Sequence, residues 1–407
     1  MCRRPWNLIR VMPAQEEMTV NTADRAAGTA DAVVVGAGAI GLAAAWSAAR
    51  RGLRVVVLEA SEPAAGATGV AAGMLAPVTE ADFGERDLIE LNLAGARRWP
   101  AFARELETAS GTAPGYLQTG TLTVAVDRDD AEILHRMHEL QRELLLDAEW
   151  LTGRACRRLE PWLAPGVAGG IHAPGDHQVS PRALAAGLAR ALVTAGGELR
   201  RGARVTGFDT GPEGVEGVLL EDGARLAARA VVLATGAESG RLELPAAARV
   251  PVRPVKGQIL RLQARATAPL PAARVVRTPD VYAVPRRDGR LVVGATVEEQ
   301  GFDVSVTAGG VLELLRRAYA VLPGISELEL VEARAGLRPV APDNGPIVGE
   351  SAVPGLIWAT GHWRNGILLA PLTGDAVAAL LTGEEPPAEL TPFSPRRFAA
   401  RTAQVTG

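Results

Sequence analysis

The residues with the clearest chemical potential are three glycines spaced as G-x-G-x-x-G: Gly36, Gly38 and Gly41. They follow the apolar run 33–35 and open an alanine-rich segment with helical character. Gly36 permits a tight turn, Gly38 leaves room for a pyrophosphate, and Gly41 lets the helix pack closely on a sheet. The free N–H groups and the dipole at the helix start favour the phosphates. The spacing therefore predicts a phosphate cradle.

Glu59 lies at the position where a dinucleotide site has an acid that binds the ribose. Glu59 ends the second apolar run, 55–58, and lies 18 residues after Gly41. A carboxylate at about this distance accepts hydrogen bonds from the hydroxyls of a ribose. An ordinary glycine-rich turn is the weaker interpretation, because strand, helix and acid all stand where a dinucleotide site requires them.

Two further stretches of small residues indicate close approach to a cofactor. Residues 60–77, ASEPAAGATGVAAGMLAP, follow the acid directly and contribute the hydroxyl of Thr68. The apolar strand 231–233 leads into Ala-Thr-Gly236, where a chain would again pass beside the cofactor. Near the C-terminus, Asn365-Gly366 opens a final helix, whose N-terminus favours negative charge.

Two side chains are candidates for binding a small polar substrate. Arg338, in GLRP, is suited to hold a carboxylate through two parallel hydrogen bonds, with a surface ion pair as the alternative. Tyr282, in a predicted strand, has a hydroxyl for a polar ligand, although strand tyrosines more often only pack.

The histidines give weaker signals. His135 and His138 form an HxxH pair on a predicted helix, but no third metal ligand is evident nearby, so we expect a solvated helix face and no metal site. His172 and His177 lie in a loop before the helix that begins at Ser180-Pro181. Each has the chemistry of a general base, and a local hydrogen bond is the favoured interpretation.

Composition bounds the class of protein. The 407 residues suit two interleaved domains, and the net charge of −3 gives no reason to expect a nucleic-acid partner or an anionic membrane surface. Cys2 and Cys156 are the two cysteines, a usage that favours a reducing cytoplasm. No apolar run is long enough to span a bilayer, and the early residues lack a signal peptide.

The order of the segments predicts an α/β protein whose Rossmann-like domain is discontinuous. Strands in series between about 251 and 330 favour an inserted domain with a mixed or antiparallel sheet that binds the substrate. We expect the cofactor-binding domain at 29–110, 175–250 and 331–385, the substrate-binding domain at 111–174 and 251–330, a disordered tail at 1–28, and a loosely held C-terminal tail at 386–407.

FAD fits this layout better than a nicotinamide. No catalytic histidine or Ser-Tyr-Lys group of a plain nicotinamide dehydrogenase is evident, although such an enzyme stays an alternative. A cofactor element at each end of the chain suits a larger molecule, and an isoalloxazine accepts a hydride without a dedicated protein acid or base.

Three motifs identify a family. They are VVVGAGAIG…VVVLE with GATGVAAGMLAP, then YAVPRRDGRLVVGATVE, then AGLRPVAPDNGPIVG…ATGHWRNGILLAPLTG. From about residue 31 to 382 the chain resembles the D-amino-acid-oxidase-like flavoproteins, and within them the glycine-oxidase-like members. The last motif is the specific one, because the GLRP arginine and the HWRNG segment separate these members from generic flavoproteins.

The resemblance implies a set of site residues. Tyr282, Arg338 and Arg364 would bind and orient the substrate. The cofactor contacts would be Ala39, Ile40, Glu59, Ala60, Ala67, Thr68, Ala72, Gly73, Met74, Val205, His362, Trp363, Arg364, Asn365, Gly366, Ile367 and Leu368. Some members attach flavin through a cysteine near the last motif, and this chain has none there, so non-covalent FAD is implied.

The implied activity is oxidative deamination of glycine, and of sarcosine or small D-amino acids, by O2. The products would be an imine or glyoxylate and hydrogen peroxide, with the imine feeding thiamine thiazole synthesis. A functional link to thiazole synthase and a homo-oligomer, such as a tetramer, are also implied. The alternatives are a dehydrogenase of the same fold that uses another electron acceptor, and a non-catalytic FAD-binding subunit of an amine-oxidising complex.

Overall fold

The computed structural model describes residues 29–265 and 269–398. The predicted tail at 1–28 and the last residues, 399–407, lie outside the described part. The helices are α1 (Ala39–Arg50), α2 (Ala67–Val70), α3 (Arg86–Ser110), α4 (Arg128–Glu143), α5 (Gly153–Leu159), α6 (Pro181–Thr194), α7 (Ala308–Val321) and α8 (Gly366–Thr382).

The described strands fall into two large sheets and one small ribbon. They are β1 (Ala30–Val35), β2 (Val55–Leu58), β3 (Met74–Leu75), β4 (Thr121–Ala125), β5 (Glu149–Thr152), β6 (Gly169–Ala173), β7 (His177–Gln178), β8 (Glu198–Arg200), β9 (Val205–Gly211), β10 (Gly214–Leu220), β11 (Arg225–Leu233), β12 (Arg253–Gln263), β13 (Val275–Arg277), β14 (Tyr282–Pro285), β15 (Arg290–Gly294), β16 (Glu329–Val340), β17 (Ile347–Glu350) and β18 (Leu356–Thr360).

The first sheet has the order β17-β18-β11-β1-β2-β8, and β10 pairs with β11 and β9. Its centre is parallel, since β1 lies between β2 and β11 and β11 continues to β18. Side chains of α1, α3, α6 and α8 share one buried cluster on one face of this sheet. The arrangement confirms the predicted Rossmann-like α/β architecture.

Small residues bring α1 unusually close to its neighbours. A Cβ on Gly41 would lie 1.9 Å from the Gly36 carbonyl oxygen, and Gly36 itself has a φ of +105°. On the other side of α1, a Cβ on Gly374 of α8 would lie 2.9 Å from the Ala43 carbonyl oxygen. The alanine-rich sequence of α1 thus permits tight packing against both the first turn and α8.

The second sheet has the order β16-β12-β15-β14-β13-β4-β6-β5. Its pairs are antiparallel except β13 with β4, which run parallel. Leu314 and Ala318 of α7 share a buried cluster with residues of this sheet. The inserted sheet is therefore mixed, with mainly antiparallel pairing, as the serial strands predicted.

One predicted boundary cuts through a strand. β16 pairs with β12 along its length, from Glu329 opposite Gln263 to Val340 opposite Arg253. β16 thus crosses the predicted division at 330/331, and Arg338 lies within this strand. Pro339 is tolerated because β16 is an edge strand, where one missing N–H costs little.

The predicted loose tail is wrong for part of its length. Short 3-10 helices form at Ala388–Phe393 and Pro395–Phe398. Leu390 and Phe393 are buried in the first cluster of the Rossmann-like half. Apolar side chains therefore anchor residues that proline content alone marked as loose. Among residues 29–265 and 269–398, no helix combines the length and apolar character needed to cross a membrane.

Candidate active site

A cavity of about 1060 Å³ lies between the two sheets. One side is lined by the turn after β1, the end of β2, α2 and the turn after β11. The opposite side is lined by residues of β12, β14 and β16, and by the loop before α8. The carboxyl ends of the parallel strands thus face the inserted sheet, which is where open α/β sheets bind ligands.

Glu59 is fixed at the rim of the cavity by the turn it was predicted to accompany. Its Oε2 accepts a hydrogen bond of 2.8 Å from the Ala37 amide, and its Oε1 accepts one of 2.9 Å from the Ser61 amide. These bonds orient the carboxylate beside the N-terminus of α1. The position suits a polar contact to the ribose of a dinucleotide.

Thr68 links the small-residue loop to the phosphate cradle. Its hydroxyl accepts a hydrogen bond of 3.0 Å from the Ala39 amide, in the first turn of α1. A Cβ on Gly38 would lie only 3.4 Å from the same hydroxyl oxygen. The N-termini of α1 and α2 therefore lie close together, at a place with backbone N–H donors and few large side chains. Such a place fits an anionic, extended cofactor.

Four arginine side chains hold the small-residue loop in place from behind. They are Arg182 and Arg261, which both donate to the Gly69 carbonyl, Arg286, which donates to the Ala72 carbonyl, and Arg334, which donates to the Ala65 carbonyl. Burial lowers the pKa of Arg286 to about 10, so it stays charged at neutral pH. Charged donors on carbonyls make the loop a rigid wall.

The loop before α8 closes the cavity at its C-terminal side. His362 is buried, and its Nε2 lies 3.0 Å from the Thr373 hydroxyl of α8. Burial lowers the pKa of His362 to about 3, which keeps the ring neutral. Trp363 donates its amide to the Pro339 carbonyl and has a φ of 48°, the left-handed region. The loop is thereby fastened to both α8 and β16.

The Arg338 guanidinium is held by backbone carbonyls and reaches the cavity. Its Nη1 donates to the carbonyls of Lys256, at 3.2 Å, and Thr296, at 3.1 Å. Nη2 makes no hydrogen bond within the described residues. Gly257 provides the space, because a Cβ there would lie 2.4 Å from Nη1. Arg338 is thus positioned without an acid partner, and its charge is available to a ligand.

Tyr282 lies opposite Gly294, a second glycine whose missing side chain leaves room for a cavity residue. It pairs with Gly294 of β15, where a Cβ would come within 2.5 Å of the phenol oxygen. Burial raises the pKa of Tyr282, so the hydroxyl stays protonated. In the described part of the chain this hydroxyl has no hydrogen-bond partner, and it lines the same cavity as Arg338.

Arg364 is paired, in contrast to Arg338. Its Nε lies 3.1 Å from Glu80 Oε2, and Glu80 Oε1 lies 3.2 Å from Arg277 Nη1. Asp176, fully buried, accepts hydrogen bonds from the amides of Val78 and Thr79 and fixes the segment before Glu80. Burial raises the pKa of Asp176 to about 6.

The structure brings almost all of the predicted site residues to this cavity. Tyr282, Arg338 and Arg364 line it, as do the following predicted cofactor residues: Gly36, Gly38, Ala39, Ile40, Glu59, Ala60, Ala67, Thr68, Ala72, Gly73, Met74, Val205, Gly236, His362, Trp363, Arg364, Asn365, Gly366 and Ile367. Gly41 and Leu368 do not line it. Gly41 packs against the first turn, and Leu368 is buried in the core.

The four histidines outside the last motif do not line the cavity. His135 stacks on Trp150 with ring centroids 3.9 Å apart, and His177 contacts Tyr116 edge-on. His172 pairs in β6 with Leu122, away from the cavity. No group of three or more His, Cys, Asp or Glu side chains placed to hold a metal ion occurs within residues 29–265 and 269–398.

Sequence reasoning missed Glu80, Arg277, Gly257 and Gly294. Glu80 had one available signal, since it is the first acid after the small-residue stretch 60–77. The other three stand in ordinary strands of the inserted sheet, and only the pairing of those strands shows what they face.

The donor set fits FAD. Backbone N–H groups at two helix starts, a ribose-side carboxylate and a long cavity suit an anionic dinucleotide with a flat ring at its far end. Cys156, the cysteine in the described part, is buried in the core of the second sheet and does not line the cavity. The described residues thus offer no thiol for a covalent link there.

Known proteins share this architecture. The family model for FAD dependent oxidoreductases matches residues 31–380. A glycine oxidase of Geobacillus kaustophilus is 38% identical over 373 residues, which are 91% of this chain and 98% of that protein. The bifunctional protein ThiO/ThiG of Trichormus variabilis is 37% identical over 91% of this chain, which spans 55% of that longer protein.

A solved structure gives the same answer in three dimensions. The crystal structure of glycine oxidase from Geobacillus kaustophilus superposes with a TM-score of 0.84 at 37% identity, over 90% of this chain and 98% of that chain. Sequence and fold therefore agree over nearly the full described length. The chain belongs to the D-amino-acid-oxidase family of FAD-dependent oxidoreductases and is an FAD-dependent amine oxidoreductase.

Proposed function

We propose that this protein oxidises glycine, and also sarcosine or small D-amino acids, with O2 as the electron acceptor. The observation that carries the proposal is the Arg338 guanidinium, which is held by two backbone carbonyls and has Nη2 without a partner in the described residues. An unpaired, positioned guanidinium in a partly buried cavity is suited to a substrate carboxylate. The similarity to glycine oxidases supports the same substrate class.

Tyr282 would orient the bound amino acid. Its hydroxyl is protonated and lines the cavity with Arg338. It can therefore donate a hydrogen bond to the carboxylate that Arg338 binds, or block other orientations of the substrate. Arg364 would act at longer range, because Glu80 already occupies its Nε. The site thus favours a substrate with one carboxylate, bound at Arg338.

When bound, FAD supplies the acceptor for the hydride that leaves Cα as the C–N bond becomes an imine. The N-terminus of α8 would stabilise negative charge on the far end of the cofactor, because its first N–H groups lack helical partners. Arg338 and Tyr282 would hold Cα in place, and positioning of this kind supplies much of the acceleration.

The overall reaction balances as glycine, water and O2 giving glyoxylate, ammonia and hydrogen peroxide. We further propose that the imine is used in thiamine thiazole synthesis, which the similarity to the bifunctional ThiO/ThiG protein supports. A functional link to thiazole synthase, a cytoplasmic location and a homo-oligomeric state such as a tetramer belong to the same proposal.

The visible absorption spectrum of the purified protein, recorded before and after anaerobic addition of glycine, tests the activity. We expect a flavin band that bleaches with glycine and returns in air with release of peroxide. A flavin band that glycine and sarcosine leave unchanged would contradict the substrate assignment. Bleaching without peroxide in air, but with reduction of an added quinone, would instead identify a dehydrogenase.

A further inference from the structure

An acid of the protein, Glu80, lines the substrate side of the cavity. Glu80 lies between Arg277, on β13, and Arg364, in the loop before α8, with one carboxylate oxygen near each guanidinium. The Glu80 side chain is 9% exposed and that of Arg277 is 12% exposed. All three residues line the same cavity as Arg338 and Tyr282.

The charges in this region do not cancel. Arg277, Arg338 and Arg364 contribute three positive charges, and Glu80 contributes one negative charge; Asp280 also lines the cavity, but its carboxylate is exposed and pairs with Arg317. A substrate carboxylate bound by Arg338 adds a second negative charge. Arg277 Nε is buried and has no hydrogen-bond partner in the described part of the chain. The region therefore carries an excess of positive charge that favours anions, and one carboxylate, that of Glu80, already bridges two of the three arginines.

Glu80 is held in this position by its own backbone. Asp176 binds the amides of Val78 and Thr79 and the Thr79 hydroxyl, at 3.0, 2.8 and 2.6 Å. Arg277 also donates to the Thr79 carbonyl, at 3.2 Å. The carboxylate is consequently a fixed part of the cavity wall and not a mobile surface group.

We infer that Glu80 determines selectivity, by placing its negative charge between Arg277 and Arg364, where the second carboxylate of a dicarboxylic substrate would bind. This inference rests on the proposed function, because it takes Arg338 as the seat of the first carboxylate. Substrates with one carboxylate, such as glycine and sarcosine, fit beside Glu80. A glycine whose nitrogen carries a carboxymethyl group meets a like charge and is rejected.

Removal of the acid should reverse this selectivity. In Glu80→Gln, the two arginines lose the negative charge between them, and the neutral side chain is no longer held by two ion pairs. A second ligand carboxylate then replaces that charge and gains two charge-assisted hydrogen-bond partners. Glu80→Gln should therefore bind dicarboxylates, and the binding of one carboxylate at Arg338 should not change.

Binding of two non-oxidisable probes to the FAD-loaded protein tests the inference without turnover. Methoxyacetate resembles sarcosine and has one carboxylate, whereas diglycolate resembles carboxymethylglycine and has two. Calorimetric titration gives the dissociation constants. We expect the wild type to bind diglycolate at least tenfold more weakly than methoxyacetate. We expect Glu80→Gln to bind diglycolate at least tenfold more tightly than the wild type does, with less than a threefold change for methoxyacetate.

Asp82→Asn is the matched control, because it removes one negative charge from the same segment at an exposed position that does not line the cavity. It should leave both dissociation constants within twofold of the wild type. Equal changes for the two probes in Glu80→Gln, or tighter diglycolate binding in Asp82→Asn, would overturn the inference.

The wild type alone gives a second check that does not depend on the variant folding. Diglycolate binding as tight as methoxyacetate binding would overturn the role of Glu80. If methoxyacetate fails to bind the wild type at all, the carboxylate seat at Arg338 is wrong, and the proposed function and this inference fall together. Normal methoxyacetate binding with unchanged selectivity in Glu80→Gln would remove only the inference.

Discussion

The two sides of the cavity recognise their ligands by different means. The side formed by the first sheet presents glycines, alanines and backbone amides, with Glu59 and Thr68 as its polar side chains near the phosphate cradle. The side formed by the second sheet presents long charged and aromatic groups, among them Arg338 and Tyr282. The first side is suited to the shape and phosphate charge of a dinucleotide, whereas under the proposed function the second side would bind a small charged substrate.

This difference determines how each side tolerates change. Backbone recognition depends on close approach, so an added methyl group is enough to disrupt it. Side-chain recognition depends on individual charges, so substitutions there should change affinity and selectivity while the fold and the cofactor stay in place. Four substitutions and measurements test this contrast, beginning with the largest expected effect.

Gly41→Ala should abolish FAD binding. The new Cβ would lie 1.9 Å from the Gly36 carbonyl oxygen, and backbone atoms have little freedom to retreat. We expect the dissociation constant for FAD, measured by quenching of flavin fluorescence, to rise more than 100-fold. Gly309→Ala in α7 is the control, since nothing lies within 4 Å of its added Cβ. Normal FAD content in Gly41→Ala would refute the close-approach argument.

His362 should make the cofactor side sensitive to acid. Burial lowers its pKa to about 3 in the folded protein, whereas the unfolded chain has the ordinary value of 6.5. As the pH falls below about 6.5, His362 is protonated in the unfolded chain but stays neutral in the folded protein. The free energy of unfolding therefore decreases between about pH 6.5 and pH 3. Between pH 7 and 4 this amounts to about 3 kcal/mol.

The melting temperature as a function of pH measures this effect. His362→Gln is neutral throughout, so its stability should fall less between pH 7 and 4 than that of the wild type. Parallel curves for the two proteins would show that His362 takes up its proton normally in the folded state.

Arg338→Leu should leave the cofactor side intact and disable the substrate side. Loss of a charge-assisted contact to the carboxylate should reduce kcat/KM for glycine about 100-fold. The flavin spectrum and FAD content should not change. Arg253→Leu serves as control, because this exposed arginine of β12 pairs with Glu299 at the surface. Unchanged glycine kinetics in Arg338→Leu would remove Arg338 from the site.

Gly257→Ala should have the smallest effect, and it tests whether the substrate side also depends on space. The added Cβ would lie 2.4 Å from Arg338 Nη1, so the guanidinium must move away from its two carbonyl partners. We expect KM for glycine to rise about tenfold with little change in kcat, as for lost ground-state binding. In the Arg338→Leu background the same substitution should add no further loss, because the two residues act together.

The cofactor side was the part that could be predicted from sequence. Gly36, Gly38, Gly41 and Glu59 act through local conformation, and the strand, helix and acid around them lie within about 30 residues. The helices α1, α4, α6 and α8 were also predicted, for example α6, whose start was marked by Ser180 and Pro181. β16, which crosses the predicted boundary at 330/331, was not predicted, because its pairing with β12 joins segments distant in the sequence.

The sequence by itself therefore determined the fold class, the dinucleotide site and the identity of Arg338 and Tyr282 as candidate substrate residues. The tertiary structure decided which arginine is available. The sequence does not show which of Arg338 and Arg364 has an acid partner: Arg364 pairs with Glu80, whereas the hydrogen bonds of Arg338 among the described residues go only to carbonyl oxygens. Glu80, Arg277 and Arg364 are far apart along the chain. The sequence therefore does not show whether each charged side chain is paired, because its neighbours are set only by folding.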